Sequence, residues 1–191
     1  MLKNKRKIIL DAAAESFSMY GFKATTIDQV AKLANVGKGT IYTTFKNKED
    51  LFNAVLQEII AEVQEVFQRS ISENKDLFDN ISSALAELLT FRKQHKFMTK
   101  LHHEMNVFAS ENSKRALKEI ENVIIDAIDQ LLKQAEENKK FQTTHRHVTA
   151  YLMYKTYILL VSDYEETYKP LKQDEIITIF KSHFMSEMKT T

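Results

Sequence analysis

Residues 25–45 read TTIDQVAKLANVGKGTIYTTF, and they contain two of the three glycines of this 191-residue chain. Residues 26–29 match a capping box, in which a threonine begins a helix and a glutamine three residues later returns its hydrogen bond. The asparagine and glycine of residues 35–37 interrupt the helical pattern, and a further short helix is expected at about residues 38–45. Two short helices joined by a tight turn are typical of a helix-turn-helix.

The rest of the chain also has the composition of a helical protein. One proline and three glycines leave few positions that break helices or form tight hairpins. Apolar residues recur at three- and four-residue spacing from Asn4 to Tyr20, and Gly21 is expected to end that helix. Later helical segments lie at about residues 47–67, 77–91, 97–108, 114–136, 147–163 and 175–188. Because no strand pattern is found, we expect an all-α fold of about nine helices.

Charge is distributed unevenly along the chain. Residues 1–50 carry nine basic and five acidic side chains, a net charge of +4, whereas the other 141 residues have a net charge of −3. A basic N-terminal segment favours a polyanionic partner for that segment. Lys48 stands at the start of a predicted helix, where a lysine opposes the helix dipole, and a nearby phosphate would compensate for that placement.

Several functional classes are excluded by what the sequence lacks. Without cysteine there is no disulfide, thiolate metal site or thiol nucleophile, and no glycine-rich nucleotide motif is present. No histidine follows a glutamate by three residues or pairs with another histidine four residues away. We therefore expect no catalytic residue, metal or cofactor, although a helical-bundle metalloprotein stays an alternative. No signal peptide or membrane span is apparent, so we expect a cytoplasmic protein with no membrane partner.

The predicted second helix of the helix-turn-helix carries side chains suited to DNA. Phosphates are bound by cationic and hydroxyl side chains, and base edges are read by short side chains on the exposed face of such a helix. This segment supplies Lys38, Thr40, Tyr42, Thr43 and Thr44.

About residues 5–55 resemble the DNA-binding domain of the tetracycline-repressor (TetR) family. The resemblance is carried by Phe17, Gly21-Phe22, Thr25-Thr26-Ile27, Val30-Ala31, the segment from Val36 to Tyr42 and the segment from Phe45 to Leu51. It implies a homodimeric repressor that binds double-stranded operator DNA and releases it when a small molecule binds the C-terminal part. It also implies a DNA-binding domain at residues 1–50 and an effector-binding and dimerisation domain at residues 51–191.

Matched position by position, the resemblance assigns roles to individual residues. It implies phosphate contacts by Thr26, Lys38, Tyr42 and Lys48, and base contacts by Thr40, Thr43 and Thr44. At Gly39 the absent side chain would let the helix backbone approach DNA closely. Three departures from the family pattern are Asn35 in place of glycine, Gly37 in place of a Ser or Thr cap, and Thr43-Thr44 in place of an aromatic–histidine pair. The operator sequence is left open by these threonines.

The resemblance also locates the two C-terminal functions. It implies an effector pocket among the middle helices, suited to a largely apolar or aromatic ligand. Its candidate residues are Met98, Leu101, His102, Met105, Phe108, Tyr151, Tyr154 and Tyr157. The last two helices could pack against those of a second copy as a four-helix bundle, through Leu152, Leu159, Ile176, Ile179, Phe180, Phe184 and Met188. A DNA-binding protein without an effector stays open as an alternative.

Overall fold

The structure is a computed structural model, and it describes residues 2–72, 74–94, 111–138 and 142–185. No strand occurs in these residues, which confirms the predicted all-α fold. The helices are α1 (Leu2–Ala24), α2 (Ile27–Leu33), α3 (Lys38–Tyr42), α4 (Lys48–Ser70), α5 (Leu77–Gln94), α6 (Glu111–Glu137), α7 (Arg146–Val161), α8 (Asp163–Thr167) and α9 (Gln173–Phe180), followed by a π-helical turn at Lys181–Met185. The predicted segment at residues 97–108 lies outside the described residues.

The chain divides into two compact units. Unit 1 is formed by Met1–Glu62 and Arg92–Ile120, and unit 2 is formed by Val63–Phe91 and Glu121–Thr191. Helices α4, α5 and α6 therefore each contribute residues to both units.

Helix α1 is interrupted at Gly21, where φ is 77° and ψ is 171°. A positive φ is readily adopted by glycine, which has no Cβ. The regular helix therefore ends at the predicted residue. One further helical turn carries the chain to Ala24, and the amide of Thr25 donates a hydrogen bond of 3.1 Å to the carbonyl of Gly21.

An aromatic cluster forms the centre of unit 1. The ring of Phe52 lies edge-on to Phe17 and to Phe22, with centroid distances of 5.2 and 4.8 Å. Other buried side chains in this core are Ile9, Leu10, Ala13, Val30, Ile41, Phe45, Leu51 and Val55. Because Ile41 is fully buried, the opposite face of α3 is directed to solvent.

Unit 2 has an aliphatic core. Buried side chains come from α4 to α7 and from α9, and they include Val66, Phe67, Leu85, Leu88, Ile124, Leu132, Met153, Leu160 and Ile176. The start of α7 is held to α6 by Arg146, whose guanidinium lies 3.2 Å from Asp129 and 3.0 Å from Glu136.

The helix predicted at residues 147–163 ends two residues earlier in the structure, so its predicted end was wrong. Helix α7 ends at Val161, Ser162 has φ −128° and ψ −80°, and a separate short helix, α8, follows. The sequence analysis did not anticipate α8, because its five residues are too few for a helical repeat to be recognised.

Candidate nucleic-acid interface and candidate ligand cavity

Helix α2 begins with the predicted capping box. The side chain of Thr26 accepts a hydrogen bond of 3.2 Å from the amide of Gln29, and the side chain of Gln29 accepts one of 2.7 Å from the amide of Thr26. Each bond satisfies an amide that the helix itself leaves unpaired. Thr26 is exposed, so its hydroxyl can also reach a ligand.

The turn between α2 and α3 depends on Asn35. This residue has φ 50°, in the left-handed region that asparagine tolerates better than most other residues. The amides of Val36 and Asn35 donate to the carbonyls of Ala31 and Lys32, at 3.0 and 3.3 Å, which is the Schellman pattern of a helix end. Asparagine therefore performs here the conformational task of glycine.

Helix α3 presents a polar face to solvent. Lys38, Gly39, Thr43 and Thr44 are exposed, Tyr42 is 48% exposed, and Thr40 is half-buried. These six residues, which were predicted to contact DNA, are at least partly accessible to solvent, although α3 ends at Tyr42 and not at the predicted residue 45, so that Thr43 and Thr44 follow it. The hydroxyl of Thr43 donates a hydrogen bond of 2.7 Å to the carbonyl of Thr40, which leaves its lone pairs and methyl group available.

Lys38 has a partner that was not predicted from the sequence. Its ammonium lies 2.8 Å from a carboxylate oxygen of Asp28 on α2, and both side chains are largely exposed. The hydrogen bond and the charge of Asp28 raise the pKa of Lys38. No local pattern links two residues ten positions apart on different helices.

Lys48 contacts the protein backbone. Its ammonium donates to the carbonyls of Phe22, Lys23 and Thr25 at 2.8, 3.1 and 2.9 Å, and it lies 4.7 Å from the centre of the Phe22 ring. Partial burial lowers its pKa. The carbonyl oxygens at the end of α1 thus explain a lysine at the start of α4 without requiring a phosphate.

The basic residues at the start of α1 are partly neutralised within unit 1. The ammonium of Lys7 lies 3.1 Å from Asp11 and 3.2 Å from Glu58, and the guanidinium of Arg6 lies 3.9 Å from Glu58. Arg6 also lies over the ring of Phe45 at 5.6 Å. The net charge of this segment therefore overstates the positive charge that is available to DNA.

Unit 2 contains an apolar cavity of about 30 Å³. Its lining residues are Phe67, Ile81, Ala84, Leu85, Leu88, Ile124, Ile128, Leu131, Met153, Tyr154, Tyr157 and Phe180. Two predicted pocket residues, Tyr154 and Tyr157, are among them, whereas Tyr151 is exposed and does not line the cavity. The other predicted pocket residues, Met98, Leu101, His102, Met105 and Phe108, lie outside the described residues.

Two of the lining residues, Tyr154 and Tyr157, carry a side-chain hydroxyl. The hydroxyl of Tyr157 donates a hydrogen bond of 3.4 Å to the carbonyl of Leu88. Burial, followed by the negative charge of Glu121, raises the pKa of Tyr154. The contributions of α5 and α6 were missed because their apolar residues resemble ordinary core positions in the sequence.

One face of α7 exposes four apolar side chains around Lys155, whose ammonium lies 2.6 Å from Glu121. Val148, Tyr151, Leu152 and Leu159 are between 41% and 54% exposed, at spacings that keep them on one side of the helix. Two of them, Leu152 and Leu159, were predicted at the dimer interface, and the other two were not. We call these four residues the α7 stripe.

The remaining residues predicted at the dimer interface differ in exposure. Ile176 and Phe180 are buried inside unit 2 and leave almost no side-chain surface for a partner. Ile179 and Phe184 are half-buried, and Met188 lies outside the described residues.

Two other kinds of site are not found in the residues that the structure describes. No group of three acidic or histidine side chains there could hold a metal ion. No helix of these residues combines the length and the apolar composition that crossing a membrane requires.

Known proteins share both the N-terminal motif and the whole fold. The family model for bacterial regulatory proteins, tetR family, matches residues 9–55. The uncharacterized HTH-type transcriptional regulator YhgD of Bacillus subtilis (strain 168) is 35% identical over 173 residues, or 91% of each chain. FadR from Bacillus subtilis in complex with stearoyl-CoA aligns with a TM-score of 0.76 at 18% identity, covering 91% of this chain and 96% of that one. The SmeT–triclosan complex aligns with a TM-score of 0.76 at 15% identity, covering 94% and 90%.

The tight turn at Asn35 and the polar exposed face of α3 are the geometry of a helix-turn-helix transcriptional regulator that binds DNA. The match to YhgD extends this assignment over nearly the whole chain, beyond the motif itself. The chain belongs to the tetR family of bacterial regulatory proteins.

Proposed function

We propose that the protein is a ligand-responsive repressor that binds a palindromic operator as a homodimer and is released by a small molecule. The observation that carries this proposal is the polar, solvent-exposed face of α3, held against a rigid core in unit 1. Residues 1–50 would act as the DNA-binding domain, and residues 51–191 would bind the effector and dimerise.

The proposed DNA contacts follow from the exposed groups. Thr26, Lys38 and Tyr42 would bind phosphates, and Thr40, Thr43 and Thr44 would face base edges in the major groove. Gly39 would allow close approach of the helix backbone. Lys48 would reach a phosphate only by giving up some of its three carbonyl partners, so we propose for it a supporting role in both DNA binding and the fold.

Tyr42→Ala is expected to weaken binding to the intergenic DNA upstream of the gene for this chain by at least about tenfold. A hydrogen bond to a charged group contributes about 1.5–3 kcal/mol, and the exposed tyrosine contributes little to the fold. Titration by fluorescence anisotropy measures the change, with Tyr20→Ala on α1 as a control because Tyr20 is similarly exposed. Equal affinities for wild type and Tyr42→Ala would contradict the assigned DNA surface.

The cavity in unit 2 supports an effector with a large apolar part. Its volume of about 30 Å³ holds roughly one water molecule, whereas ligand pockets measure about 300–1,000 Å³. An effector would therefore have to displace lining side chains, and flexible Met153 suits such a movement. FadR from Bacillus subtilis and SmeT were solved with stearoyl-CoA and with triclosan, two ligands with large apolar parts.

An effector of this kind is expected to raise the melting temperature by about 5–10 °C at a free concentration of 100 Kd. Binding to the native state alone contributes about 2.7 kcal/mol at that concentration, and 1 kcal/mol shifts a domain of this size by about 2–4 °C. Stearoyl-CoA, stearate and triclosan are the first probes for thermal shift and for release of bound DNA. The Ala84→Leu variant should lose the shift because it fills the cavity.

A failure of this test favours the alternative function. If neither these probes nor a wider metabolite library shifts the melting temperature, the protein is better described as a DNA-binding regulator without an effector. The DNA assignment would be unaffected, since it is tested separately through Tyr42.

Homodimerisation through the α7 stripe completes the proposal. A two-fold operator presents half-sites about 34 Å apart, which requires two copies of α3. The stripe offers the same apolar surface on each copy, and an isologous interface needs such a self-complementary patch.

A further inference from the structure

Asp28 occupies a position on the proposed DNA surface that is unfavourable for DNA binding. It lies on α2, two residues after Thr26, and its carboxylate is 2.8 Å from the ammonium of Lys38 at the start of α3. The two side chains are 69% and 49% exposed, so neither is enclosed by the protein. A negatively charged group thus stands among the residues that we expect to contact phosphates.

The separation of Lys38 and Asp28 is that of a charge-assisted hydrogen bond between an ammonium and an anion. A DNA phosphate would need the same ammonium and would make a bond of the same kind. Carboxylate and phosphate repel each other when both approach one cation, and little protein shields them at this exposed site. Binding of DNA through Lys38 therefore requires the Asp28 carboxylate to move away.

We propose that Asp28 is an intramolecular substitute for a DNA phosphate, bound to Lys38 in the free protein and displaced when DNA binds. This role rests on the proposed function, because it takes Lys38 as a phosphate contact. It makes Asp28 a residue that limits the affinity for DNA. Because phosphates are the same in every sequence, Asp28 limits binding to duplexes of any sequence.

The displacement has a consequence for salt dependence. A free lysine that binds a phosphate releases about 0.9 counterions from the DNA, which makes binding more sensitive to salt. In the wild type the same exchange breaks the exposed ion pair between Lys38 and Asp28, which added salt also weakens. Part of the contribution of Lys38 to the salt dependence is thus offset, and removal of the Asp28 charge should restore that part.

The test uses the full chain and a duplex of about 30 base pairs with an arbitrary sequence. Binding is measured by fluorescence anisotropy at several NaCl concentrations between about 50 and 300 mM, because log K is linear in log salt. Asp28→Asn is expected to bind about three- to tenfold more tightly at 100 mM NaCl. Its plot of log K against log salt should be steeper, by at most about 0.9 for each copy of α3 that contacts the duplex. Asp126→Asn on α6 is the charge-matched control, because Asp126 is exposed and belongs to unit 2, and it should stay within about twofold of wild type.

Lys38→Met separates exchange at Lys38 from simple repulsion. In the Lys38→Met variant, adding Asp28→Asn should raise log K by less than half as much as it does in the wild type, because the ammonium that binds the Asp28 carboxylate has been removed. An equal gain in both backgrounds would mean that Asp28 only repels DNA, and it would overturn the inference. A loss of affinity in Asp28→Asn would show that Asp28 positions Lys38 for DNA, which also overturns it.

The variants also distinguish this inference from the proposed function. Wild-type binding without a gain in Asp28→Asn overturns the role of Asp28 alone. Absence of wild-type binding to any duplex at 50 mM NaCl overturns the proposed function and this inference with it. Asp28→Ser is a second uncharged variant in the first turn of α2, and it should give the same gain if Asp28→Asn folds poorly.

Discussion

Leu152→Glu combined with Leu159→Glu is expected to convert the protein to a monomer and to weaken operator binding by about three orders of magnitude. Both leucines are more than half exposed on α7, so the substitutions should change the stability of the unit itself by only about 0.5 kcal/mol. In the proposed dimer they would bury two charges per copy in an apolar interface, where unpaired charges are strongly unfavourable.

The loss of DNA affinity follows from the loss of the second half-site contact. In a dimer, the second α3 binds its half-site at an effective concentration in the millimolar range, which multiplies the affinity by about 10²–10⁴. A monomer has to bind each half-site separately. Light scattering coupled to size-exclusion chromatography measures the mass, and anisotropy on the intergenic DNA measures the affinity.

A matched control adds the same charge elsewhere in unit 2. Gln130→Glu combined with Gln134→Glu places two carboxylates on exposed positions of α6, and this variant should stay dimeric with nearly unchanged affinity. A double leucine variant that stays dimeric would exclude the α7 stripe as the interface. A monomeric variant that binds as tightly as wild type would contradict the need for two copies.

The sequence predicted best those features that depend on neighbouring residues. The capping box at Thr26 and the interruption of the helix at residues 35–37 are both confirmed, because each is set within four or five residues of chain. The break at Gly21 is confirmed for the same reason. Such local interactions leave a residue pattern that can be recognised without knowing the tertiary structure.

Features that depend on distant parts of the chain could not be predicted in the same way. Lys48 was conspicuous at a helix start, yet its carbonyl partners lie 23 to 26 residues earlier, at the end of α1. Asp28 and Lys38 meet only because the turn at Asn35 brings α2 and α3 together. The count of charges therefore indicated a DNA-binding segment, but it did not indicate which cationic side chains are already bound to a carboxylate or a carbonyl within the protein.

The apolar residues of the later helices illustrate a related limit. From the sequence, the segment from Val148 to Val161 is expected to be buried on several sides, whereas the α7 stripe is exposed and Met153 and Tyr157 are buried. The hydrophobic pattern identifies apolar faces of a helix but does not say which element covers each of them. The pattern therefore gave no indication that Ile176 and Phe180 are buried in unit 2 whereas Leu152 and Leu159 are exposed.

Gly39→Ala is expected to change stability and DNA affinity in opposite directions. A Cβ at this position would meet no protein atom within 4 Å, so the fold has room for alanine. Alanine is favoured over glycine inside a helix by about 0.5–1 kcal/mol, which should raise the melting temperature by about 1–4 °C. If the backbone of α3 approaches DNA at Gly39, the same methyl group overlaps with the DNA surface.

The expected loss of affinity for the intergenic DNA is about 30-fold. Overpacking a close contact costs about 1–3 kcal/mol, and every 1.4 kcal/mol is tenfold. Gly37→Ser is the control, because serine is a good helix cap and a Cβ at Gly37 would make only an ordinary contact of 3.9 Å with Thr40. That variant should be as stable as wild type or slightly more stable, with unchanged affinity. A Gly39→Ala protein that gains stability and keeps full affinity would show that the DNA does not approach the backbone of α3 at this residue. A loss of both stability and DNA affinity would indicate a structural role for Gly39 that the open space around it does not predict.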